Sequence, residues 1–331
     1  MKKICITGGN GFLGNNLSRY LYSLGYNVLI LDDLSESYEE NLPPNIRFKN
    51  VDISNFAEVS EVFSNERPDV VFQLAANANE CLSHWVRNDC ITRNILANTN
   101  IISACVENDV SKLIFTSSIA KFGAGTPPFK ETDPANPTDV YGLSKLFCEE
   151  DIKLANRTFG LQYNILIPFN ITGGKYQNLF SLYRNVIGIW CRQTIWEKKP
   201  ITVYGDGSCV RAFSNVKYML PCMEKLIHGF DNETFNIGAE TFFRVIDAAQ
   251  IFKSVAKKFG HDVEIVHLEP RDEVGVAYCD VTKAKQTLGY EDKTNLEETI
   301  TEMFAWALTQ TYKIPRKFQY EITKNLYSFW R

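Results

Sequence analysis

The stretch Lys3-Ile4-Cys5-Ile6-Thr7-Gly8-Gly9-Asn10-Gly11-Phe12-Leu13-Gly14 decides the fold of the first half of the chain. Its apolar opening predicts a β-strand, and the pattern from Gly11 to Leu24 predicts an amphipathic helix. Between them, Gly8, Gly11 and Gly14 follow the spacing G-x-x-G-x-x-G. Glycines so spaced allow a tight turn and a close approach of the backbone to a pyrophosphate. The free N–H groups of the helix N-terminus add partial positive charge for phosphate.

A carboxylate at the end of the second predicted strand strengthens the prediction that this turn binds a dinucleotide. Asp32 closes the strand Asn27–Asp32 and lies 18 residues after Gly14. There it can accept hydrogen bonds from both hydroxyls of an adenosine ribose, and its charge repels a 2′-phosphate. A glycine-rich turn alone is also typical of ordinary strand–helix connections, but the turn and the acid together predict that NAD binds in preference to NADP.

Strands and helices alternate through the first 170 residues. The predicted strands are Lys3–Thr7, Asn27–Asp32, Ile46–Val51, Val70–Leu74, Lys112–Ser117 and Tyr163–Pro168, and the predicted helices are Gly11–Leu24, Phe56–Asn65, Ile91–Asn108 and Tyr141–Phe159. This alternation, with strands that read as continuous apolar runs, predicts an α/β fold of the Rossmann type, a doubly wound parallel sheet covered on both faces.

The second half of the chain is less regular. Predicted strands at Ile201–Tyr204 and Val263–Val266 and a helix at Val245–Phe259 are separated by longer loops. We expect a smaller C-terminal α/β lobe, with domains at about 1–170 for cofactor and 171–331 mainly for substrate, and with some interleaving of the two. The segment Tyr312–Arg331 mixes basic and aromatic residues. We interpret it as a packed C-terminal helix, the alternative being a segment that lies on a membrane surface or a partner.

Composition excludes several classes of protein. The 331 residues are 45% hydrophobic, 13% aromatic and 22% charged, so the chain can build a core and is not disordered. The net charge of −4 gives no electrostatic reason for nucleic acid binding. The chain lacks an apolar run of the roughly 18 residues that a membrane span requires. Its N-terminus also lacks the apolar core of a signal peptide, so we do not expect export.

The nine cysteines and four histidines give no sign of a metal site. No two cysteines form a C-x-x-C pair, and most stand in apolar runs, as small buried hydrophobic residues do. This use of cysteine indicates a reducing compartment, and we expect a cytoplasmic protein. His84, His228, His261 and His267 do not cluster with cysteines or carboxylates, so we expect no metal.

Three hydroxyl and amine side chains are candidates for acid–base chemistry. Tyr141 and Lys145 stand four residues apart in a predicted helix, which places both side chains on one face. A nearby ammonium and the positive charge of a nicotinamide would favour the phenolate of Tyr141, which could then accept a proton from a sugar hydroxyl. Ser118 follows the predicted strand that ends in Thr116-Ser117, at the sheet edge where such folds bind ligands. Taken singly, these features are equally typical of a surface pair and of a Ser/Thr-rich strand end.

The motifs of the chain taken in order resemble a known family. They are Thr7-Gly8-Gly9-Asn10-Gly11-Phe12-Leu13-Gly14, Leu31-Asp32-Asp33-Leu34, Val51-Asp52-Ile53, Phe72-Gln73-Leu74-Ala75-Ala76, Thr116-Ser117-Ser118, Tyr141-Gly142-Leu143-Ser144-Lys145, Pro168-Phe169-Asn170, Tyr204-Gly205-Asp206-Gly207, Arg211-Ala212-Phe213 and Arg271. Together they resemble the extended short-chain dehydrogenase/reductase family, which includes sugar-nucleotide epimerases and dehydratases. The likeness runs from Thr7 to about Tyr290.

The resemblance implies a role for each matching position. The catalytic residues would be Ser118, Tyr141 and Lys145. The NAD-binding residues would be Gly8, Gly11, Phe12, Leu13, Gly14, Asp32, Asp52, Ile53, Leu74, Ala75, Ala76, Thr116, Tyr141 and Lys145. The residues that bind the nucleotide-diphosphate sugar would be Ser118, Asn170, Arg211 and Arg271. Guanidinium groups suit this last task because they bind phosphate in a bidentate manner.

The residues after Ser118 distinguish subfamilies. Similar 4,6-dehydratases carry an Asp-Glu pair where this chain has Ile119-Ala120, which cannot act as acid or base, so dehydration is disfavoured. The remaining pattern resembles the 4-epimerases, of which UDP-glucose 4-epimerase is the familiar example. The resemblance thus implies NAD-dependent epimerisation at C4 of a UDP-hexose, through a transient 4-keto intermediate, in a homodimer that pairs the helices near Ile91–Asn108 and Tyr141–Phe159.

Two other functions agree with the same residues. A net C4 dehydrogenase or reductase would use the same hydride step and release the keto sugar, and a non-catalytic NAD(H) sensor would use the fold for binding alone. The chain also departs from the family at Lys121, Ile167 and Ala212. Lys121 either adds positive charge near the sugar or points to solvent. These departures leave the identity of the sugar and of the nucleotide base open.

Overall fold

The computed structural model describes residues 2–331 and consists of alternating strands and helices through most of its length. In chain order the strands are β1 (Lys3–Thr7), β2 (Asn27–Asp32), β3 (Arg47–Asn50), β4 (Val70–Gln73), β5 (Lys112–Thr116), β6 (Gln162–Pro168), β7 (Ile171–Thr172), β8 (Ile201–Tyr204), β9 (Val210–Arg211), β10 (Ser214–Asn215), β11 (Glu233–Ile237), β12 (Phe243–Arg244), β13 (Ile265–Leu268) and β14 (Val276–Ala277). The α-helices are α1 (Phe12–Ser23), α2 (Phe56–Glu66), α3 (Arg87–Ile91), α4 (Ala97–Glu107), α5 (Val140–Phe159), α6 (Val186–Arg192), α7 (Leu220–Lys225), α8 (Val245–Lys258), α9 (Thr282–Leu288) and α10 (Leu296–Ala307).

Seven parallel strands form the central sheet, in the order β3-β2-β1-β4-β5-β6-β11. In the middle of this sheet, Ile6 lies opposite Ile30 of β2 and Phe72 of β4, and all three are completely buried. The central strands are apolar because helices cover both faces of the sheet. On one face α2, α4 and α5 pack side by side, and α1 packs against α7. The predicted doubly wound α/β fold is confirmed.

The carboxyl ends of the parallel strands meet at one edge of the sheet. Thr7, Asp32 and Thr116 are the last residues of β1, β2 and β5, so the loops that follow them converge. The strand order reverses next to β1, between β2 and β4. In open α/β sheets this is the place where a crevice forms and ligands bind.

The second half of the chain contributes to both parts of the molecule. Its strand β11 completes the central sheet beside β6, while β8 pairs with β13, and β9 pairs with β12 and β14. A separate hydrophobic cluster holds α6, α8 and α10 together, with Trp190, Phe252 and Phe304 at its centre. Within residues 2–331, no helix combines the length and the hydropathy needed to cross a membrane.

Three elements predicted from the sequence differ from those in the structure, and two of them are shifted along the chain. The predicted strand Val263–Val266 lies two residues later, at Ile265–Leu268, where it pairs with β8. The predicted helix Ile91–Asn108 begins earlier, with α3, and contains a π-helical turn over Thr92–Leu96.

The C-terminal segment is also different, because Tyr312–Arg331 is not a helix. Apart from one 3-10 turn at Ser328–Trp330, this segment is irregular. Its apolar side chains join one hydrophobic cluster with Trp85, from positions that one face of a helix could not present together: Phe318, Tyr320, Leu326, Tyr327, Phe329 and Trp330. The backbone carbonyl of Trp85 accepts a hydrogen bond of 2.8 Å from the amide of Glu321. Tertiary packing of aromatic rings therefore determines the path of this segment.

Candidate functional site

A cavity of about 470 Å³ opens at the carboxyl edge of the sheet, between the sheet and the loops of the second half. Every site residue predicted from the sequence lines this cavity: Gly8, Gly11, Phe12, Leu13, Gly14, Asp32, Asp52, Ile53, Leu74, Ala75, Ala76, Thr116, Ser118, Tyr141, Lys145, Asn170, Arg211 and Arg271. Residues that lie far apart in the sequence thus meet at one site.

The glycine turn forms one end of the cavity. Gly8 has a positive φ of 61°, and its carbonyl accepts a hydrogen bond of 3.0 Å from the amide of Gly11. A Cβ atom on Gly14 would lie 2.6 Å from the Cα of Gly9, so no side chain fits where the helix packs on the turn. A Cβ atom on Gly11 would come within 4 Å of only one atom, the carbonyl oxygen of Gly8 at 3.2 Å. Gly11 caps α1 without a side-chain hydrogen bond, which leaves the first amides of α1 available to a phosphate.

Asp32 stands beside this turn, and the residue is only 8% exposed. It accepts hydrogen bonds from the amides of Asn10 and Leu34, at 3.0 and 2.9 Å, and from the Ser37 hydroxyl at 3.0 Å. Burial raises the pKa of Asp32, and these three hydrogen bonds act in the opposite direction. They hold the carboxylate at the cavity wall, where it can bind the hydroxyls of a ribose.

Several polar atoms in the cavity wall are buried without a partner in the protein. Within residues 2–331, they are Asn79 Oδ1, Thr116 Oγ1, Asn170 Nδ2 and Arg271 Nε. Buried polar atoms normally form hydrogen bonds, so this set indicates a polar ligand. With the open turn at Gly11, it fits a dinucleotide at one end of the cavity and a second polar molecule at the other.

The acid–base residues are placed by the start of α5 and the end of β5. The Asp139 side chain caps α5 by accepting a hydrogen bond of 2.7 Å from the amide of Gly142, and Tyr141 lies in the first turn. Lys145 is one turn further, and its Nζ donates a hydrogen bond of 2.7 Å to the carbonyl of Thr116. Ser118 follows that strand, and its hydroxyl, which accepts a hydrogen bond of 3.1 Å from the amide of Ala120, is near enough to Tyr141 to lower the pKa of the phenol. The predicted trio is therefore assembled in one buried cluster.

The pKa values of Tyr141 and Lys145 differ from what their spacing in the sequence predicts. Burial raises the pKa of Tyr141 well above its ordinary value, and the neighbouring hydroxyl of Ser118 and the charge of Arg184 lower it. The ammonium of Lys145 was expected to lower the pKa of Tyr141, but it is directed to the carbonyl of Thr116. Burial also lowers the pKa of Lys145 itself, to about 8. In the protein without cofactor, burial is therefore the largest effect on the pKa of both side chains.

Lys121 has neither of the two roles expected for it. Its Nζ is buried and forms an ion pair of 2.8 Å with Oε2 of Glu149, which is also buried. The other carboxylate oxygen of Glu149 accepts a hydrogen bond from the hydroxyl of Ser117. Glu149 lies on α5 four residues after Lys145, so it connects the helix that carries Tyr141 to the loop that carries Ser118. The sequence signal for Glu149 was its position, at i+8 from Tyr141 on the same helix face.

The two predicted phosphate ligands share an acidic neighbour. Arg211 Nη2 lies 2.9 Å from Oε2 of Glu273, and Arg271 Nη2 lies 3.3 Å from Oε1 of the same carboxylate. The Arg271 guanidinium also stacks over the ring of Tyr204, at 4.0 Å from its centroid. Glu273 and Tyr204 thus orient both guanidinium groups at the cavity wall, where they can bind a diphosphate.

Two charged residues of the cavity carry no signal in the sequence pattern. Desolvation by the surrounding cavity, followed by the charge of Asp139, raises the pKa of Glu80 to about 7, although the residue is exposed to solvent in the open cavity. Arg184 lines the cavity from the loop before α6. Neither belongs to a motif with a recognisable spacing, so only the folded structure brings them to the site. The described residues contain no group of three or more His, Cys, Asp or Glu side chains that could hold a metal ion.

Comparison with known proteins agrees with this geometry. The NAD dependent epimerase/dehydratase family matches residues 4–238. The chain is 27% identical to the UDP-glucose 4-epimerase of Halalkalibacterium halodurans, over 92% of this chain and 94% of that protein. It is 29% identical to the UDP-N-acetyl-alpha-D-glucosaminuronate decarboxylase of Bacillus cytotoxicus, over 92% of this chain and 98% of that protein.

A solved structure is similar over the same range. The UDP-glucose 4-epimerase of Thermotoga maritima, crystallised with UDP-glucose, superposes with a TM-score of 0.85 and 29% identity, covering 92% of this chain and 98% of that one. The family match covers well over half of the chain, and the cavity contains the glycine turn and the acid that NAD binding requires. The chain therefore belongs to the NAD-dependent epimerase/dehydratase family, and it is an enzyme that uses NAD as its cofactor.

Proposed function

We propose that this enzyme interconverts the C4 epimers of a UDP-linked hexose or hexose derivative. The observation that carries the proposal is the meeting of Ser118, Tyr141 and Lys145 in a cavity that also contains the open N-terminus of α1 and a pair of arginines. Relatives similar over nearly the full chain include epimerases named for UDP-glucose, which supports both the reaction and the nucleotide.

The acid–base step is assigned to Tyr141 and Ser118. Bound NAD⁺ supplies the hydride acceptor and donor for C4, and its positive charge favours the phenolate. Tyr141 then accepts the proton of the 4-hydroxyl group, either directly or through the neighbouring hydroxyl of Ser118. Lys145, held by the carbonyl of Thr116, is placed to bind the cofactor ribose.

The second half of the chain holds the nucleotide while the sugar turns. Arg211 and Arg271 are placed to bind the diphosphate, and the free amide of Asn170 is placed to bind a further polar atom of the substrate. A 4-keto sugar attached to this anchor can rotate and present its other face before Tyr141 returns the proton. Water elimination is disfavoured because Ile119 and Ala120, next to Ser118, carry no acid–base group.

The Tyr141→Phe variant tests this assignment. Removal of the general base should lower the rate of UDP-galactose formation from UDP-glucose by about 10²–10⁴-fold. The NAD content of the purified variant should be unchanged, because only the hydroxyl is removed and the phenyl ring remains in place. Tyr22→Phe, a change at an exposed tyrosine on α1, is the matched control and should retain full activity. Full activity in Tyr141→Phe would refute the assignment.

The products and the amount of NADH in the same experiment distinguish an epimerase from the two alternative functions. A net C4 dehydrogenase or reductase would accumulate or consume NADH as the keto sugar is released or reduced. A non-catalytic NAD(H) sensor would bind the cofactor and turn over none of the sugars. The epimerase changes the C4 configuration and leaves the amount of NADH constant.

We also propose a homodimer and a cytoplasmic location. Large apolar side chains are about half exposed on the outer face of the helices near α3, α4 and α5: Ile91, Leu96, Leu143, Phe147 and Leu154. An exposed apolar patch of this kind is typical of a protein interface. The nine cysteines form no disulfide, which fits a reducing compartment.

A further inference from the structure

The C-terminal segment, Tyr312–Arg331, reaches the cavity but contributes none of the ligand-binding residues described above. Phe318 of this segment is part of the cavity wall. The segment also forms hydrogen bonds with two loops that carry ligand-binding residues. One is the loop after β2, next to Asp32, and the other is the loop before β14, next to Arg271. A single stretch of chain therefore connects the cofactor end of the site with the substrate end.

Arg316 holds the loop that follows β2. Its Nη1 donates hydrogen bonds to the carbonyl oxygen of Leu34, at 2.9 Å, and to that of Ser35. The amide of Leu34 in turn donates a hydrogen bond of 2.9 Å to the carboxylate of Asp32. Leu34 has a positive φ of 57°, a conformation that a leucine keeps only where its surroundings hold it. Arg316 is thus connected, through one residue, to the carboxylate that is placed to bind a ribose.

Two further contacts hold the same loop. The ring of Tyr38 lines the cavity, and Nζ of Lys313 and the guanidinium carbon of Arg316 lie 4.2 and 5.5 Å from its centroid. Lys313 also forms an ion pair with Glu40. Burial raises the pKa of Glu36, which lines the cavity as well, and the charge of Arg316 is one of three that oppose this effect. Attraction to this carboxylate adds to the contacts of Arg316.

The other end of the segment supports the loop that carries Arg271. The hydroxyl of Tyr327 accepts a hydrogen bond of 2.8 Å from the amide of Asp272. The ring of Phe329 packs on that of Tyr204, with 4.9 Å between the centroids. Tyr204 is the ring over which the guanidinium of Arg271 stacks. The segment therefore contacts both the neighbour of Arg271 in the sequence and the ring beneath its side chain.

Between these two ends, the segment is fixed to the start of α3. The carboxylate of Glu321 accepts hydrogen bonds of 2.8 and 3.1 Å from the amides of Asn88 and Asp89, in the first turn of that helix. The indole N–H of Trp85 donates a hydrogen bond of 3.0 Å to the carbonyl of Lys324. This central attachment holds the segment in place, so that each end can act on its own loop.

We propose that Tyr312–Arg331 is a strap that holds the two ends of the cavity around their ligands, with Arg316 and Tyr327 as positioning residues that touch neither ligand. Arg316 fixes the loop beside Asp32, so the carboxylate is already in place for the cofactor and less order is lost on binding. Tyr327 does the same for Arg271. The action on the cofactor rests only on the use of NAD, whereas the action on the substrate rests on the diphosphate site proposed above.

The experiment measures two quantities: the rate at which bound NAD⁺ exchanges with radiolabelled NAD⁺, and the calorimetric affinity of the NAD-loaded protein for UDP. Arg316→Gln should exchange NAD⁺ roughly 3–10-fold faster, the worth of its lost hydrogen bonds, and should bind UDP as the wild-type protein does. Arg316→Lys, which can still donate to one carbonyl, should be intermediate. Tyr327→Phe should show the opposite pattern, with UDP binding weakened by roughly 2–5-fold and NAD⁺ exchange unchanged.

The matched control is Lys317→Gln, which removes the charge of the exposed residue next to Arg316 and should change neither quantity. An unchanged rate of NAD⁺ exchange in Arg316→Gln would overturn the proposal. Equal changes in NAD⁺ exchange and UDP affinity in both variants, with a lower urea midpoint, would also overturn it, because the segment would then only stabilise the fold. Neither measurement requires turnover, so a failure of the strap and a failure of the proposed reaction are separate results.

Discussion

Lys145 has to carry its charge in a buried position, and this gives cofactor binding a pH dependence. Burial lowers its pKa to about 8, whereas an exposed lysine titrates near 10.4. As the pH rises through 8, the amine of the cofactor-free protein loses the charge that attracts the dinucleotide. We expect the affinity for NAD⁺ to fall between about pH 7 and pH 9. Lys145→Met should bind NAD⁺ weakly at both values and lose this dependence, as measured by calorimetry.

Glu80 provides the control, because it is a second group in the cavity that titrates in this range. Desolvation by the surrounding cavity raises its pKa to about 7, so its negative charge appears as the pH rises and would also oppose an anionic ligand. The Glu80→Gln variant should keep the decline in affinity above pH 8. Loss of the pH dependence in Glu80→Gln, with its retention in Lys145→Met, would contradict the role of Lys145.

At the scale of single elements, two glycines of the turn before α1 have different roles. Gly14 is needed for the packing of the folded protein, and Gly11 for binding of the cofactor. Gly14→Ala should destabilise the protein, because its Cβ would lie 2.6 Å from the Cα of Gly9. Gly11→Ala should lower stability much less than Gly14→Ala and should weaken NAD⁺ binding, since its Cβ would crowd only the carbonyl oxygen of Gly8, at 3.2 Å, beside the helix N-terminus. Urea unfolding and NAD⁺ calorimetry measure the two effects. Gly229→Ala, where the Cβ would contact nothing within 4 Å, is the control. The reverse pattern would contradict the close packing at Gly14.

The buried pair Lys121–Glu149 joins α5 to the loop that carries Ser118. Removal of one partner leaves the other charge buried, so Glu149→Gln should lower the free energy of unfolding by about 3 kcal/mol. The double variant Lys121→Met/Glu149→Leu should be less destabilised than the single one. Lys153, which is 4.0 Å from Glu149 and partly exposed, supplies the control Lys153→Met, with a change below about 1 kcal/mol. A single variant as stable as the wild-type protein would contradict the account.

The sequence predicts these elements where the residues interact locally. Tyr141 and Lys145 are four residues apart in one helix, and the glycines lie in a single loop of seven residues. The sequence therefore predicts the position of the pair on α5 and of the glycine turn before α1. The role of Lys121 was not predicted, because its partner Glu149 is 28 residues away and no local pattern connects them. Arg184 and Glu80 were missed for the same reason. Their roles depend on which distant elements the fold brings to the cavity wall.

At the scale of the whole molecule, the exposed apolar face of α5 predicts assembly. Leu143 and Phe147 are about half exposed and stand one helical turn apart. If this face forms the dimer interface, Phe147→Glu should convert a dimer to a monomer in size-exclusion chromatography with light scattering. Tyr22→Glu introduces the same charge at an exposed aromatic position on α1 and should leave the dimer intact. A wild-type protein that is monomeric would refute the proposed interface.

The fold could be predicted from the sequence only where it depends on patterns within short stretches of the chain. Alternation of apolar strands and amphipathic helices determines the parallel sheet, because right-handed crossovers leave few other topologies. The position of β11 beside β6 and the irregular path of Tyr312–Arg331 could not be read in this way. Both depend on contacts across the molecule, such as the packing of Trp330 against Trp85 with ring centroids 5.6 Å apart.

The central claim is that hydride leaves C4 and returns to C4 of the same molecule inside this cavity. The most direct measurement follows a UDP-hexose and a UDP-hexuronate that carry deuterium at C4, with mass spectrometry and NMR of both epimers after equilibration. The account predicts that the new C4 epimer retains the deuterium and that no NADH accumulates. Loss of deuterium to solvent, or a released keto sugar with stoichiometric NADH, would contradict it.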